Sequence, residues 1–253
     1  MIKRLLILLC LLPISAAAEP VEIEASGSLV WQQSDQTYRA TGDAVAVRGA
    51  LRITADELVA HYKEANGKTD IEWLEAKGNV QLQNNGTTAS GPYGSYRIDT
   101  GEIVLRGAGL NITGQNGDSI TAEKEIRFND KSGAAFAAGA PVITRTDRRI
   151  AADQITAQFV RDQNQQWTLQ NADAAGNVTV TGGINSPEAS IATGSNGTYD
   201  AAAGTALLVG NVKIKKGLNQ LNGERAEIDL NSGQARLLPS PGQGRVKALI
   251  HQN

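Results

Sequence analysis

Few side chains in this 253-residue chain are of the types that commonly carry out chemistry. The chain contains two histidines, His61 and His251, and a single cysteine, Cys10. Neither histidine lies near a second histidine or a spaced pair of carboxylates, so the sequence offers no metal-ligand pattern. We therefore expect no catalytic residue, no metal site and no cofactor.

Two aspartates, Asp56 and Asp153, each follow an alanine in matching contexts. Paired carboxylates can act as general acid and general base. The alternative is a structural role, in which each carboxylate accepts backbone hydrogen bonds at a turn or strand edge. Because the same residue returns at the same place in a repeated segment, we favour the structural role.

The segment around these aspartates is an internal repeat. Residues 139–159 match residues 42–62 without a gap, at a shift of 97 positions. Further matches at a shift of 103 link 96–107 to 199–210. We predict two tandem copies, residues 19–138 and 139–238, preceded by a signal peptide (1–18) and followed by a flexible tail (239–253).

Apolar and polar residues alternate through both copies, which is the period of half-buried β-strands. Glycine, asparagine and aspartate punctuate these runs as they do at tight turns. We predict an all-β chain whose units stack on one another and share a core. The apolar side of the pattern, which we call the inward set, comprises Val45, Val47, Leu51, Ile53, Leu58, Val80, Leu82, Ile98, Ile103, Leu105, Val142, Ile150, Ile155, Val178, Val180, Val212 and Ile214.

The first residues predict export. Lys3 and Arg4 precede a short apolar run, and small residues follow up to Ala18, after which we expect cleavage. Without Lys3 and Arg4, 22 of the 24 basic residues remain against 26 acidic residues, a net charge of −4. That balance gives no case for nucleic-acid binding.

The residues T-G-D-A-V-A-V-R-G, I-T-A-D-E-L-V-A-H-Y and E-A-K-G-N-V-Q-L resemble the OstA-like repeats of periplasmic lipopolysaccharide transport proteins of Gram-negative bacteria. The resemblance covers about residues 25–238 and is strongest over 29–82. It implies an elongated, open β-jelly roll of stacked antiparallel strands with a V-shaped slot. The resemblance further implies that the slot carries lipopolysaccharide acyl chains in outer-membrane biogenesis, which makes the inward set our candidate lipid-binding residues.

The resemblance also implies partners. Edge strands at the two ends of the stack would join an inner-membrane anchor component and an outer-membrane component of the export system, and head-to-tail self-association is a further expectation. The expected function is a non-enzymatic periplasmic lipid carrier that bridges the two membranes. An exported structural or adhesive β-solenoid with a closed core remains the alternative. A carbohydrate-active β-helix enzyme would need clustered carboxylates or aromatic platforms, and the sequence shows neither clearly.

Overall fold

The computed structural model describes residues 19–65, 67–114, 117–163, 166–184, 189–229, 232, 234–239 and 245–250. The expected signal peptide and His251 lie outside the described residues. Within them the chain is all-β, as the alternating pattern predicted, with a short 3-10 helix at Gln33–Asp35 and no α-helix. The described part of the chain has no helix with the length and hydropathy of a membrane span.

The strands of the first copy are β1 Glu22–Glu24, β2 Ser28–Gln32, β3 Thr37–Arg48, β4 Leu51–Ala65, β5 Lys68–Asn84, β6 Thr87–Arg97, β7 Glu102–Arg106, β8 Leu110–Thr113, β9 Ser119–Ala122, β10 Glu125–Asn129 and β11 Ala134–Ala138. Those of the second copy are β12 Val142–Arg145, β13 Arg148–Ala151, β14 Gln154–Arg161, β15 Trp167–Gly182, β16 Ser190–Asp200, β17 Thr205–Lys216, β18 Asn219–Asp229 and β19 Ala235–Leu238. A last strand, β20 Lys247–Leu249, follows.

All strand pairs are antiparallel, and the long strands each belong to two halves of the sheet. We call half A the part that contains β1, β8, β9, β12, β13 and β20. Half B contains β2, β7, β10, β11, β14 and β19. Strands β3 to β6 and β15 to β18 run from one half into the other. Before β15 the two halves have separate strands, because β15 pairs with β13 in half A and with β14 in half B.

A line of β-bulges forms the corner between the two halves. In β5, Gly78 and Asn79 stand opposite the single residue Pro92, because Lys77 pairs with Tyr93 and Val80 with Gly91. Gly78 and Asn79 have φ of 72° and 46°, a left-handed pair that glycine and asparagine tolerate best. The same Gly-first pair bends β3 at 42–43, β15 at 176–177 and β17 at 210–211. A bulge bends its strand, so the repeated pair turns β3, β5, β15 and β17 from one half into the other.

The two copies share one sheet across their joint. In half A, β9 pairs with β12, and in half B, β11 pairs with β14. The described residues near the C-terminus differ from the expected flexible tail, since β20 pairs with β18 through Leu221 and Ala248. Sequence alone missed this strand because it is only three residues long and follows a proline- and glycine-rich stretch.

Candidate functional site

An apolar row crosses half A from one end of the described sheet to the other. Each member stands directly opposite the next in the strand register, so all of them project from the same face. In spatial order the row is Ile23, Ala46, Ile53, Leu82, Ala89, Ile112, Ile120, Ile143, Ile150, Val180, Ala192, Ile214, Leu221 and Ala248. The row passes through the joint between copies without a polar residue.

A second row crosses half B in the same way. It consists of Leu29, Ala40, Leu58, Ala76, Gly94, Leu105, Ile126, Ala137, Ile155, Ala174, Gly197, Leu208, Ala226 and Leu237. Large and small residues are mixed along it, which lets side chains of the facing half enter between the large ones.

The two rows face each other. In the first copy, Ile53 and Leu82 of half A belong to the same hydrophobic cluster as Leu58 and Leu105 of half B. In the second copy, a separate cluster joins Ile150, Val180 and Ile214 of half A to Ile155 and Leu208 of half B. The interior between the halves is therefore apolar in both copies.

Fourteen of the seventeen predicted residues lie in this interior. Leu51, Ile53, Leu58, Val80, Leu82, Ile98, Ile103 and Leu105 belong to the first cluster or pack against it. Ile150, Ile155, Val178, Val180, Val212 and Ile214 belong to the second cluster or pack against it.

Three residues of the expected inward set face outward instead, and the prediction was wrong for them: Val45, Val47 and Val142. Val45 pairs with Thr54, and Val47 pairs with Arg52, on the face opposite to Ala46. Val142, the repeat counterpart of Val45, pairs with Thr121 on that same outer face. Alanine and valine alternate here, so both faces look apolar in sequence, and the larger residue was wrongly placed inside. The pairing of Ala46 with Ile53 decides the register.

Sequence reasoning missed the small interior residues and several leucines. Ala40, Ala44 and Ala226 are completely buried, and Leu74 and Leu110 are nearly so. The sequence did contain a signal for the alanines, because they lie an even number of residues from large apolar residues that face inward. A search for large apolar residues alone overlooks this spacing.

Asp56 and Asp153 have matching partners at the corner. The side-chain amide of Asn79 donates to both carboxylate oxygens of Asp56, at 3.1 and 3.0 Å. The amide of Asn177 does the same for Asp153, at 3.2 and 2.9 Å. The donor is a side chain rather than the expected backbone N–H. The first pair links β4 to β5, and the second links the connection between β13 and β14 to β15, which is a structural role.

His61 belongs to a polar network on the outer face of half B. Its Nε2 lies 3.2 Å from Glu75 Oε2, and the hydroxyl of Tyr93 donates to Glu75 Oε1 at 2.8 Å. Burial by itself would raise the pKa of Glu75, but the hydrogen bonds from Tyr93 and His61 and the charges of Lys77 and His61 outweigh it and hold that pKa below its ordinary value. Among the described residues, no group of three or more His, Cys, Asp or Glu is arranged to hold a metal ion.

With this geometry established, comparison with known proteins identifies the family. The family model described as "LptA/(LptD N-terminal domain) LPS transport protein" matches residues 22–133 and 119–234. The two matches together cover most of the chain, so the chain belongs to this family. The resemblance to OstA-like repeats is thereby confirmed, as are the all-β fold and its two tandem repeats.

Individual relatives match shorter stretches. The chain is similar to the LPS-assembly protein LptD of Pseudomonas fluorescens strain Pf-5, with 32% identity over 78 residues, 31% of this chain and 8% of that protein. It is also similar to LptD of Salmonella choleraesuis, with 25% identity over 127 residues, 48% of this chain and 16% of that protein. The chain thus spans less than a fifth of the length of these curated relatives.

A solved structure is also similar. It is LptH, the LptA homologous periplasmic component of the lipopolysaccharide transport device from Pseudomonas aeruginosa, with a TM-score of 0.44 and 16% identity. The match covers 53% of this chain and 94% of that one.

Proposed function

We propose that this protein is a non-enzymatic lipid carrier of the periplasm, which shelters lipopolysaccharide acyl chains between the inner and outer membranes. The observation that carries the proposal is the pair of facing apolar rows, which continue across the joint between the copies. A continuous row lets an acyl chain move along the sheet without leaving apolar surroundings. Family membership supports the lipid class.

The energetics favour holding a lipid but supply no direction for moving it. Each methylene removed from water contributes about 0.8 kcal/mol. Every position along the rows is apolar, so an acyl chain displaced by one strand stays in apolar surroundings. The direction of transport therefore has to come from outside this chain.

The two ends of the sheet suit the expected partners. Strands β1 and β2 pair only with β3 among the described strands, and β19 and β20 pair only with β18. Unpaired strand edges can accept a strand from a neighbour. At the first end Leu29, Val30 and Trp31 are 56%, 48% and 53% exposed, which gives an apolar surface beside the free edge. We assign this end to the inner-membrane anchor component, the other end to the outer-membrane component, and either end to head-to-tail self-association.

Cleavage after Ala18 and release into the periplasm belong to the same proposal, as does the division into two copies at residues 138 and 139. In this division the copies are repeats of one sheet, because both halves remain hydrogen-bonded across the boundary.

Photo-crosslinking in cells tests the carrier function. A benzoylphenylalanine at Val180 or Ile214 faces the interior, whereas Thr179 and Lys213, one residue away, provide matched outward controls. We expect lipopolysaccharide adducts at the inward sites and none at the outward sites. If the exported, folded protein gives no adduct at the inward sites, the carrier function is refuted and the closed-core scaffold becomes the better description.

A further inference from the structure

The interior of the first copy is bridged at a distance from the corner. Arg48 lies at the end of β3 in half A, Tyr96 lies in β6 within half B, and Asp130 directly follows β10 of half B. Arg48 Nη1 donates to Tyr96 Oη at 3.3 Å, and Tyr96 Oη donates to Asp130 Oδ2 at 3.1 Å. Arg48 is five residues beyond the bend at Asp43, which is about 16 Å of extended strand. We call these three side chains the latch, because they connect the two halves away from the corner that joins them.

The latch has an enclosed centre. Tyr96 is 6% exposed and belongs to the first hydrophobic cluster. A hydroxyl in such a place needs hydrogen-bond partners, and Tyr96 has one on each side. The bridge is therefore part of the packing of the first copy and not a chance contact of exposed side chains.

The second copy keeps two of these residue types but does not form the bridge. Arg145, the counterpart of Arg48, has a side chain that is 71% exposed and pairs with Asp118 at 3.3 Å. Tyr199, the counterpart of Tyr96, is half-buried, and the described residues give it no hydrogen bond to Arg145. Identical residue types at repeat positions thus have different partners in the two copies.

The apolar row of half A is also less buried in the second copy, which lacks the bridge, than in the first copy. Ile53 is 4% exposed and Leu82 is 9% exposed in the first copy. Ile150, the repeat counterpart of Ile53, is only half-buried, and so are Val180 and Ile214. The first copy buries four members of its row, Ala46, Ile53, Leu82 and Ala89, and leaves Ile23, Ile112 and Ile120 half-buried. The second copy buries only Ala192 among the members of its row, and so leaves more of the row accessible to a ligand.

We propose that acyl chains reside in the second copy, against Ile150, Val180 and Ile214, and that the latch holds the first copy closed until an incoming chain separates its halves. This inference rests on the proposed carrier function. It assigns unequal roles to the two repeats, with a resident lipid site in one and a gated passage in the other. The latch contains one hydrogen bond from a charged donor and one to a charged acceptor, so losing the tyrosine hydroxyl shifts the closed–open balance by about tenfold or more.

Crosslinking of the purified full chain to rough lipopolysaccharide tests the lipid assignment. The photoreactive residue is placed at Leu82 or at Ile214, which occupy the same row of half A in the two copies. We expect about tenfold more adduct at Ile214 in the unmodified background. We expect Tyr96→Phe, which keeps the ring and removes the hydroxyl, to raise the Leu82 adduct by about tenfold and to leave the Ile214 adduct unchanged. Tyr199→Phe is the matched control and changes neither.

A lipid-independent measurement tests the latch itself. Spin labels at positions 50 and 100 lie in turns at the far ends of halves A and B of the first copy, and labels at 147 and 203 lie in the corresponding turns of the second copy. We expect double electron–electron resonance to give one narrow distance distribution between positions 50 and 100, and we expect Tyr96→Phe or Arg48→Gln to broaden it towards the distribution of the second copy.

The outcomes separate the two proposals. Equal adducts at Leu82 and Ile214, or an unchanged distance distribution in both latch variants, overturn the latch while the carrier function stands. No adduct at either site in any variant overturns the carrier function and the lipid assignment together, whatever the spin labels show.

Discussion

Replacing Gly78 by alanine tests whether the corner residue is required by its backbone angle, by its surroundings or by both. Gly78 has φ of 72°, and a Cβ added there would overlap the carboxylate of Asp56. A non-glycine residue in the left-handed region costs about 1–2 kcal/mol. Displacing Asp56 from Asn79 adds about 0.5–1 kcal/mol, the lower part of the range for a hydrogen bond because the pair is exposed. We therefore expect Gly78→Ala to lower the free energy of unfolding by about 1.5–3 kcal/mol.

Gly67→Ala is the matched control. Gly67 has nearly the same φ, 73°, but nothing lies within 4 Å of the position of its Cβ. We expect this variant to lose only the backbone term of about 1–2 kcal/mol. Alanine also lowers the entropy of the unfolded chain in both variants, and this effect cancels in the comparison.

Urea unfolding followed by far-ultraviolet circular dichroism measures both variants against the parent protein. The double variant Asp56→Ala/Gly78→Ala removes the side chain that the new methyl group would overlap. Its loss should therefore be smaller than the sum of the two single losses. Equal destabilisation by Gly78→Ala and Gly67→Ala, or strict additivity in the double variant, would refute the steric part of the reasoning.

Three further predictions concern the core, the second corner and the outer face. Leu58→Ala, at a side chain only 1% exposed, should lower the free energy of unfolding by about 2–5 kcal/mol, whereas Leu218→Ala, at 72% exposure, should change it by less than about 0.5 kcal/mol in the same urea titration. Asp153→Ala should lower the midpoint of thermal unfolding because the amide of Asn177 loses its acceptor, and Asp153→Asn, which keeps an oxygen acceptor, should recover part of the loss. Since the folded-state pKa of Glu75 is lowered, its contribution to stability is present above its ordinary value of 4.5 and is lost as pH falls through the folded value. Glu75→Gln should therefore flatten the decline of the unfolding midpoint below pH 4.5, and an unchanged decline would contradict the role of this carboxylate.

For most strands the sequence predicted which side chains face the interior, because the alternation of apolar and polar neighbours determines it. In Val80-Gln81-Leu82 the apolar and polar residues alternate without ambiguity, and the structure buries Val80 and Leu82. In Ala44-Val45-Ala46 both faces are apolar, so the local pattern allows two registers. The pairing of Ala46 with Ile53 selects one of them, and that choice depends on the neighbouring strand.

The corner was only partly predictable. The repeated Gly-Asn pair marks a position of unusual backbone, since these residues tolerate the left-handed region. The sequence does not show that the two residues stand opposite Pro92, or that Asn79 reaches the carboxylate of Asp56 in another strand. Those contacts exist only once the strands have paired.

The sequence by itself determined the strand period, the turns and the repeat of 97 positions, and hence an all-β chain of two similar copies. These properties are local, or arise from one segment copied along the chain. The tertiary structure decided that the two copies share one sheet and that Arg48 reaches Tyr96 while Arg145 turns to Asp118 instead. The physical reason is that side chains far apart in sequence acquire their partners through strand register and sheet bending, and equal residues in repeated segments then meet unequal neighbours.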